Sequence, residues 1–222
     1  MRQNYTNEFL FPVRCSLFKA SDALVADTLA KVTKLDYRRY NEPSGVGTSD
    51  DIQNNPDFKG LHDWFQQCID TLHADNAWQA DRIVVNKSWV NRSDAKKGDH
   101  HSPHRHPMSY LSGIFYLTEG PPTVFLDPIQ LREWQQFHLD GGPIEDSERY
   151  VHPGVGGCFI FPSWLIHATV ANTSDVNRYT IAFNTFPQGD LNLGGWDRPM
   201  VSVDVTSGWS KLNPLNLSDY AR

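Results

Sequence analysis

From Trp78 to Thr185 the chain is a succession of short β-like runs cut by Gly, Pro, Asn and Asp. The runs are Arg82–Asn91, Tyr110–Thr118, Thr123–Leu126, Tyr150–His152, Gly157–Phe161, His167–Ala171 and Tyr179–Thr185. Many short strands with such punctuation restrict the fold to a sandwich or barrel-like β architecture. Two stretches ahead of them have a helical period instead. Ser21–Leu35 places Ala23, Leu24, Leu29, Ala30 and Val32 along one side, with Ser21 as N-cap. Leu61–Leu72 carries Leu61, Trp64, Phe65, Cys68, Ile69 and Leu72 as a continuous apolar stripe. Both are predicted to pack on one sheet.

The remaining segments frame this core. Glu8–Phe18 reads as an edge or irregular strand, because Pro12 interrupts it. Tyr40–Asp57 and Gln130–Glu148 read as long loops of the kind that form lids, the second with a short helix at Leu131–His138. After Phe186 the composition becomes turn-rich, with one β-like run, VSVDV. This tail suits an extra strand, an arm on a partner subunit or a flap, and its aromatic residues are compatible with a homodimer. The expected organisation is one domain over 1–222. Residues 1–77 hold the first strand and the two helices, 78–186 the β core, and 187–222 a C-terminal extension.

Charge and cysteine usage narrow the setting. The formal net charge is −6, without a long basic run, which argues against nucleic acid or an anionic membrane as partner. Cys15, Cys68 and Cys158 are widely spaced and form no CxxC, so free thiols in a reducing compartment are expected. The N-terminus has no signal-peptide pattern and no apolar run approaches a bilayer span. A cytoplasmic location is the expectation.

Four of the nine histidines fall between His100 and His106. His104 and His106, two apart in an extended chain, present both imidazoles to one face. With a third ligand from a distant strand they could occupy one face of a metal ion and leave the other open, the logic of non-haem Fe(II) oxygenase sites. His167, in FPSWLIHATVAN after a Gly-rich turn, is the best distant candidate. Arg178 follows eleven residues later, and could grip a carboxylate bidentately, with Thr180 adding a hydroxyl on the same face. His100 and His101 read as solvated loop residues or substrate contacts, and His62 and His73 as structural. Trp89, Asn91 and Asn184 are candidates for the pocket wall, while Gly113 and Gly157 read as close-packing or turn positions.

The order H-x-H-P, SG-I-F-Y-L, FPSWLIH, R-Y-T-I-A-F-N over Ile83–Asn184 resembles the 2-oxoglutarate- and Fe(II)-dependent oxygenase superfamily. It most resembles the small bacterial and phage branch related to prolyl hydroxylases. The resemblance implies a mainly β fold with flanking helices: a double-stranded β-helix, or cupin-like jelly-roll. It implies metal ligands at His104 and His167, and a 2-oxoglutarate carboxylate held by Arg178 with Thr180 and Tyr116. Fe(II), 2-oxoglutarate and O2 are the implied cofactor and cosubstrates, and hydroxylation of a small molecule or a peptidyl or free amino acid the implied reaction. One position departs from the superfamily's H-x-D, since His106 stands where a carboxylate is usual. Asp99 and Asp127 are the carboxylates that could replace it as third ligand. The competing reading is a cupin-like three-His metal protein that does not use 2-oxoglutarate.

Overall fold

The computed structural model describes residues 12–39, 45–128, 148–191, 201–204 and 211–214. The predicted helix at Leu131–His138 and nearly all of the Gln130–Glu148 loop therefore lie outside the described residues, as does the start of the Glu8–Phe18 strand.

The N-terminal part forms strand β1 (Ser16–Lys19), helix α1 (Asp22–Val32) and helix α2 (Lys59–Asn76). Ser21 caps α1 by accepting a hydrogen bond from the Leu24 amide at 3.3 Å, which satisfies one of the free donors of the first turn. Between the helices, Arg38–Arg39 (β2) and Gly47–Thr48 (β3) form short strands, and Pro56–Phe58 a 3-10 turn leading into α2.

The β core contains β4 (Arg82–Ser93), β5 (Leu111–Tyr116), β6 (Thr123–Leu126), β7 (Glu148–Val151), β8 (Gly157–Pro162), β9 (His167–Thr169) and β10 (Arg178–Leu191). All pairings between named strands are antiparallel. The major sheet runs β1-β8-β5-β10-β4-β3-β2, and the minor sheet β7-β6-β9. Two facing antiparallel sheets with helices on one outer surface make a double-stranded β-helix, the jelly-roll that the resemblance implied. The tail adds β11 (Val201–Asp204), on the end of β10, and β12 (Lys211–Pro214) beside it. Within the described residues of the tail, these are strands added to the end of β10.

Strand alternation divides the residues of the major sheet between two environments. Tyr179, Ile181 and Phe183 of β10 and Phe115 of β5 join the core under the helices, with Phe65 and Ile69 of α2. Phe65 stacks on Phe183 at 4.5 Å between centroids and meets Phe115 edge-on at 5.7 Å. The alternate residues, Arg178, Thr180, Ala182 and Asn184, face the other way, into a cavity bordered by the minor sheet. A smaller apolar cluster of Ile114, Tyr116, Phe125, Phe161 and Leu165 closes the space between the two sheets at that cavity's base.

Candidate active site

The minor sheet and the segment before β5 bring three imidazoles together. His104 and His167 are locked backbone to backbone, each amide donating to the other's carbonyl at 2.9 Å. The His106 amide donates to Ser163 O at 3.0 Å. Ring centroids stand 4.3 Å apart for His104 and His167, 5.4 Å for His104 and His106, and 5.2 Å for His106 and His167. One nitrogen from each ring lies within 4.8 Å of the others. Among the described residues this is the one group of three or more metal-type side chains so arranged.

The second nitrogen of each ring fixes its tautomer. Nδ1 of His104 faces Ser102 O at 2.8 Å, Nδ1 of His167 faces Leu165 O at 3.1 Å, and Nδ1 of His106 faces Asn184 Oδ1 at 2.6 Å. These oxygens only accept, so each Nδ1 carries a proton, which in a neutral ring leaves the lone pair on Nε2. Asn184 is itself oriented, because Ser112 Oγ donates to the same Oδ1 at 2.9 Å. Burial holds His167 neutral, with its pKa pushed down to about 3, and nearby His104 acts in the same direction. Desolvation likewise lowers His106, against its hydrogen bond to Asn184. Neutral imidazoles with inward lone pairs suit a divalent transition metal rather than a cation that prefers oxygen.

Across the cavity, Arg178 is 2% exposed. Its guanidinium donates to Thr123 Oγ1 at 3.3 Å and lies 5.3 Å from the Tyr116 ring centroid. Desolvation lowers its pKa, but a guanidinium stays charged. Among the described residues no carboxylate pairs with it. Its side chain runs beneath Gly120, where a β-carbon would sit 3.0 Å from Arg178 Cβ, Cγ and Cδ. A buried cation with only neutral partners carries a desolvation cost that an anionic ligand would offset. The donor set thus fits a metal on one side and a carboxylate on the other.

The cavity between them has a volume of about 280 Å³. Thr180 lines it beside Arg178, and Trp89, Asn91 and Asn184 form part of its wall. Tyr116 is not on that wall: its hydroxyl shares a 2.6 Å hydrogen bond with Thr123 Oγ1, and Thr123 is the one that faces the cavity. Asp99 and Asp127 do not line it. Asp99 accepts from the Asp94 amide at 2.8 Å and from Arg39 at 3.3 Å, which spends its carboxylate on loop structure. His101 departs from the solvated-loop reading, since it lines the cavity, as do Thr123 and Thr169. No local pattern marked those two threonines, whose role depends on strands paired far apart in the chain. A larger cavity of about 650 Å³, walled by Leu72, Trp78, Tyr110 and Trp164, contains none of the candidate residues.

Residues 87–184 match the family model described as "Putative 2OG-Fe(II) oxygenase", a span just under half of the chain. That segment is similar to the 2OG-Fe(II) oxygenases. Fe(II) and 2-oxoglutarate, with O2, are the cofactor and cosubstrates of the family it resembles. No curated protein sequence matches the chain. Solved structures with this fold include the non-heme alpha-ketoglutarate-dependent epimerase SnoN from nogalamycin biosynthesis, at TM-score 0.62 and 13% identity, covering 92% of this chain and 86% of that one. A Pseudomonas putida prolyl-4-hydroxylase aligns at TM-score 0.56 and 14% identity, over 80% of this chain and 94% of its own. HygX from Streptomyces hygroscopicus, solved with nickel, 2-oxoglutarate and hygromycin B, aligns at TM-score 0.54 and 14% identity, over 79% and 83%. At these identities the likeness concerns the fold alone. No described helix is long and apolar enough to cross a membrane.

Proposed function

We propose that this chain is an Fe(II)- and 2-oxoglutarate-dependent dioxygenase that hydroxylates a C–H bond of a small molecule or of a peptidyl or free amino acid. The observation that carries the reading is Arg178: a buried guanidinium, without a described carboxylate partner, in the same cavity as three inward-facing imidazoles. His104, His106 and His167 would hold the metal through Nε2. Arg178, with Thr180 beside it, would take the far carboxylate of 2-oxoglutarate. Tyr116 would act through Thr123, fixing the hydroxyl that borders the guanidinium. When bound, iron with 2-oxoglutarate and O2 supplies the oxidising power for C–H cleavage, the keto acid leaving as succinate and CO2. The protein's share is orientation. Three Nδ1 hydrogen bonds hold the rings, Arg178 sets the cosubstrate's direction, and Trp89 and Asn91 border the space left for substrate.

Substrate type rests on likeness of fold. Among proteins of this fold are a prolyl-4-hydroxylase, an enzyme solved with hygromycin B, and an epimerase, so both amino-acid and small-molecule substrates are represented. The cupin-like alternative, a three-His protein indifferent to 2-oxoglutarate, leaves the buried Arg178 without a purpose. The deciding experiment is an anaerobic titration of the Fe(II)-loaded protein with 2-oxoglutarate. A weak visible charge-transfer band should appear in wild type and be lost in Arg178→Ala. Absence of a band in wild type, together with no succinate from any candidate substrate, would leave the alternative standing.

A further inference from the structure

His101 is the fourth imidazole at the cavity, and the oxygenase reading has no task for it. Its backbone is pinned to β9 from both sides: its amide donates to Thr169 Oγ1 at 2.7 Å, and its carbonyl accepts from the Thr169 amide at 3.1 Å. That ladder leaves the ring on the cavity wall. The ring centroid stands 5.7 Å from that of His104, yet His101 is not one of the three histidines whose ring nitrogens lie within 4.8 Å of one another. It is therefore not a fourth ligand. Thr169, to which its backbone is tied, pairs with Thr123, whose hydroxyl accepts from Arg178, so the ladder leads from the metal-type cluster toward the guanidinium. Its ring nitrogens have no hydrogen-bond partner among the described residues. In either protonation state an imidazole keeps at least one N–H to donate. A donor without a described partner, on the wall of a cavity that already holds an unpaired cation, is placed to meet an acceptor from outside the chain.

We propose that His101 is a cosubstrate-positioning residue, donating a hydrogen bond to the dicarboxylate that lies between His104 and Arg178. This inference rests on the oxygenase reading. It differs from that reading in naming a residue that neither holds the metal nor carries the counter-charge. The ring would select one pose of the bound keto acid, because an imidazole N–H is a directional donor where Arg178 offers a broad positive field.

The test separates metal from cosubstrate. Co(II) affinity is measured first, by its visible d–d absorption without 2-oxoglutarate. The affinity of the Fe(II)-loaded protein for 2-oxoglutarate follows from the anaerobic charge-transfer band. His101→Leu should weaken 2-oxoglutarate binding roughly tenfold or more, the loss of one hydrogen bond to a charged group, with Co(II) affinity unchanged. His101→Gln, which keeps an N–H donor, should recover most of the loss. His101→Ala takes the place of the leucine variant if that one does not fold. In wild-type protein loaded with Zn(II), the ring ¹⁵N resonances of His101 should also shift when 2-oxoglutarate is added. Binding as tight in the leucine or alanine variant as in wild type, with no ¹⁵N shift, overturns the inference. So does a parallel loss of Co(II), which would make His101 a support of the metal-type cluster instead. A wild-type protein that binds no 2-oxoglutarate at all refutes the oxygenase reading itself, an outcome distinct from either of these.

Discussion

Asn184 supplies for His106 what backbone carbonyls supply for the other two rings. His104 and His167 each donate from Nδ1 to a carbonyl two residues earlier, Ser102 O and Leu165 O, so their orientation is a local property of the chain. His106 has no such local acceptor and reaches 78 positions along the sequence, to the Asn184 side chain. Replacing Asn184 with Val should therefore loosen one ring of three while β10 keeps its pairing. Loss of such an outer partner typically lowers metal affinity about 10- to 100-fold. Competition for Zn(II) with a chromogenic chelator measures it. An unchanged affinity would mean that packing against Trp89, 5.6 Å from the His106 ring, orients the imidazole by itself. The i, i+2 spacing of His104 and His106 was readable, and so was the row of alternate residues from Arg178 to Asn184. That the last residue of that row meets His106 was not, because nothing local links them.

At the scale of elements, β5 and β10 show why a glycine can matter more than the residues around it. Gly113 lies opposite Phe183 in the register, and a β-carbon there would come within 2.1 Å of Phe183 Cζ. Phe183 has no room to retreat, being fully buried and stacked on Phe65 of α2. Gly113→Ala should destabilise the protein by about 1–3 kcal/mol, the usual cost of overpacking a filled core. Urea unfolding would register this, and the second change Phe183→Leu should restore part of it. Were Gly113→Ala neutral, the helix layer would have to be looser than this packing implies. The helices and most strands were legible from their periods. Strand β3 was not, because Gly-Val-Gly-Thr reads as loop and becomes strand only through pairing Gly47 with Arg92 and Thr48 with Asn91. Strand β10 also runs past its apparent end, through Pro187 to Leu191. Its pairing with β5 stops at Asn184 while β4 continues beside it, so a proline whose missing N–H points away from β4 costs no ladder bond.

For the molecule as a whole, strand count and punctuation announced a sandwich or barrel-like β fold and the resemblance a jelly-roll, but the division into two sheets depends on partners such as β8 and β5 that are brought together only on folding. That division creates the desolvated cavity, and the cavity makes stability depend on pH. His101 and His167 are held neutral with pKa values pushed down to about 3, and desolvation lowers His106 and His62 as well. In the unfolded chain each of these rings titrates near 6.5. Between that value and the folded one, the unfolded state binds protons that the native state refuses, so stability is complete above pH 6.5 and falls as pH drops. Each fully desolvated ring contributes at most about 1.4 kcal/mol per pH unit, and the partly exposed His101 and His106 contribute less. Carboxylates remain largely ionised above pH 5.5, which makes the interval from 7.5 to 5.5 a histidine window. Chelator-treated protein should thus show a lower urea midpoint at pH 5.5 than at pH 7.5, and His167→Gln should reduce the difference. A bound divalent ion stabilises the native state alone and should raise both midpoints. If the two midpoints coincide in metal-free protein, the rings are hydrated in solution, and the dry, preformed site on which the oxygenase reading depends does not exist.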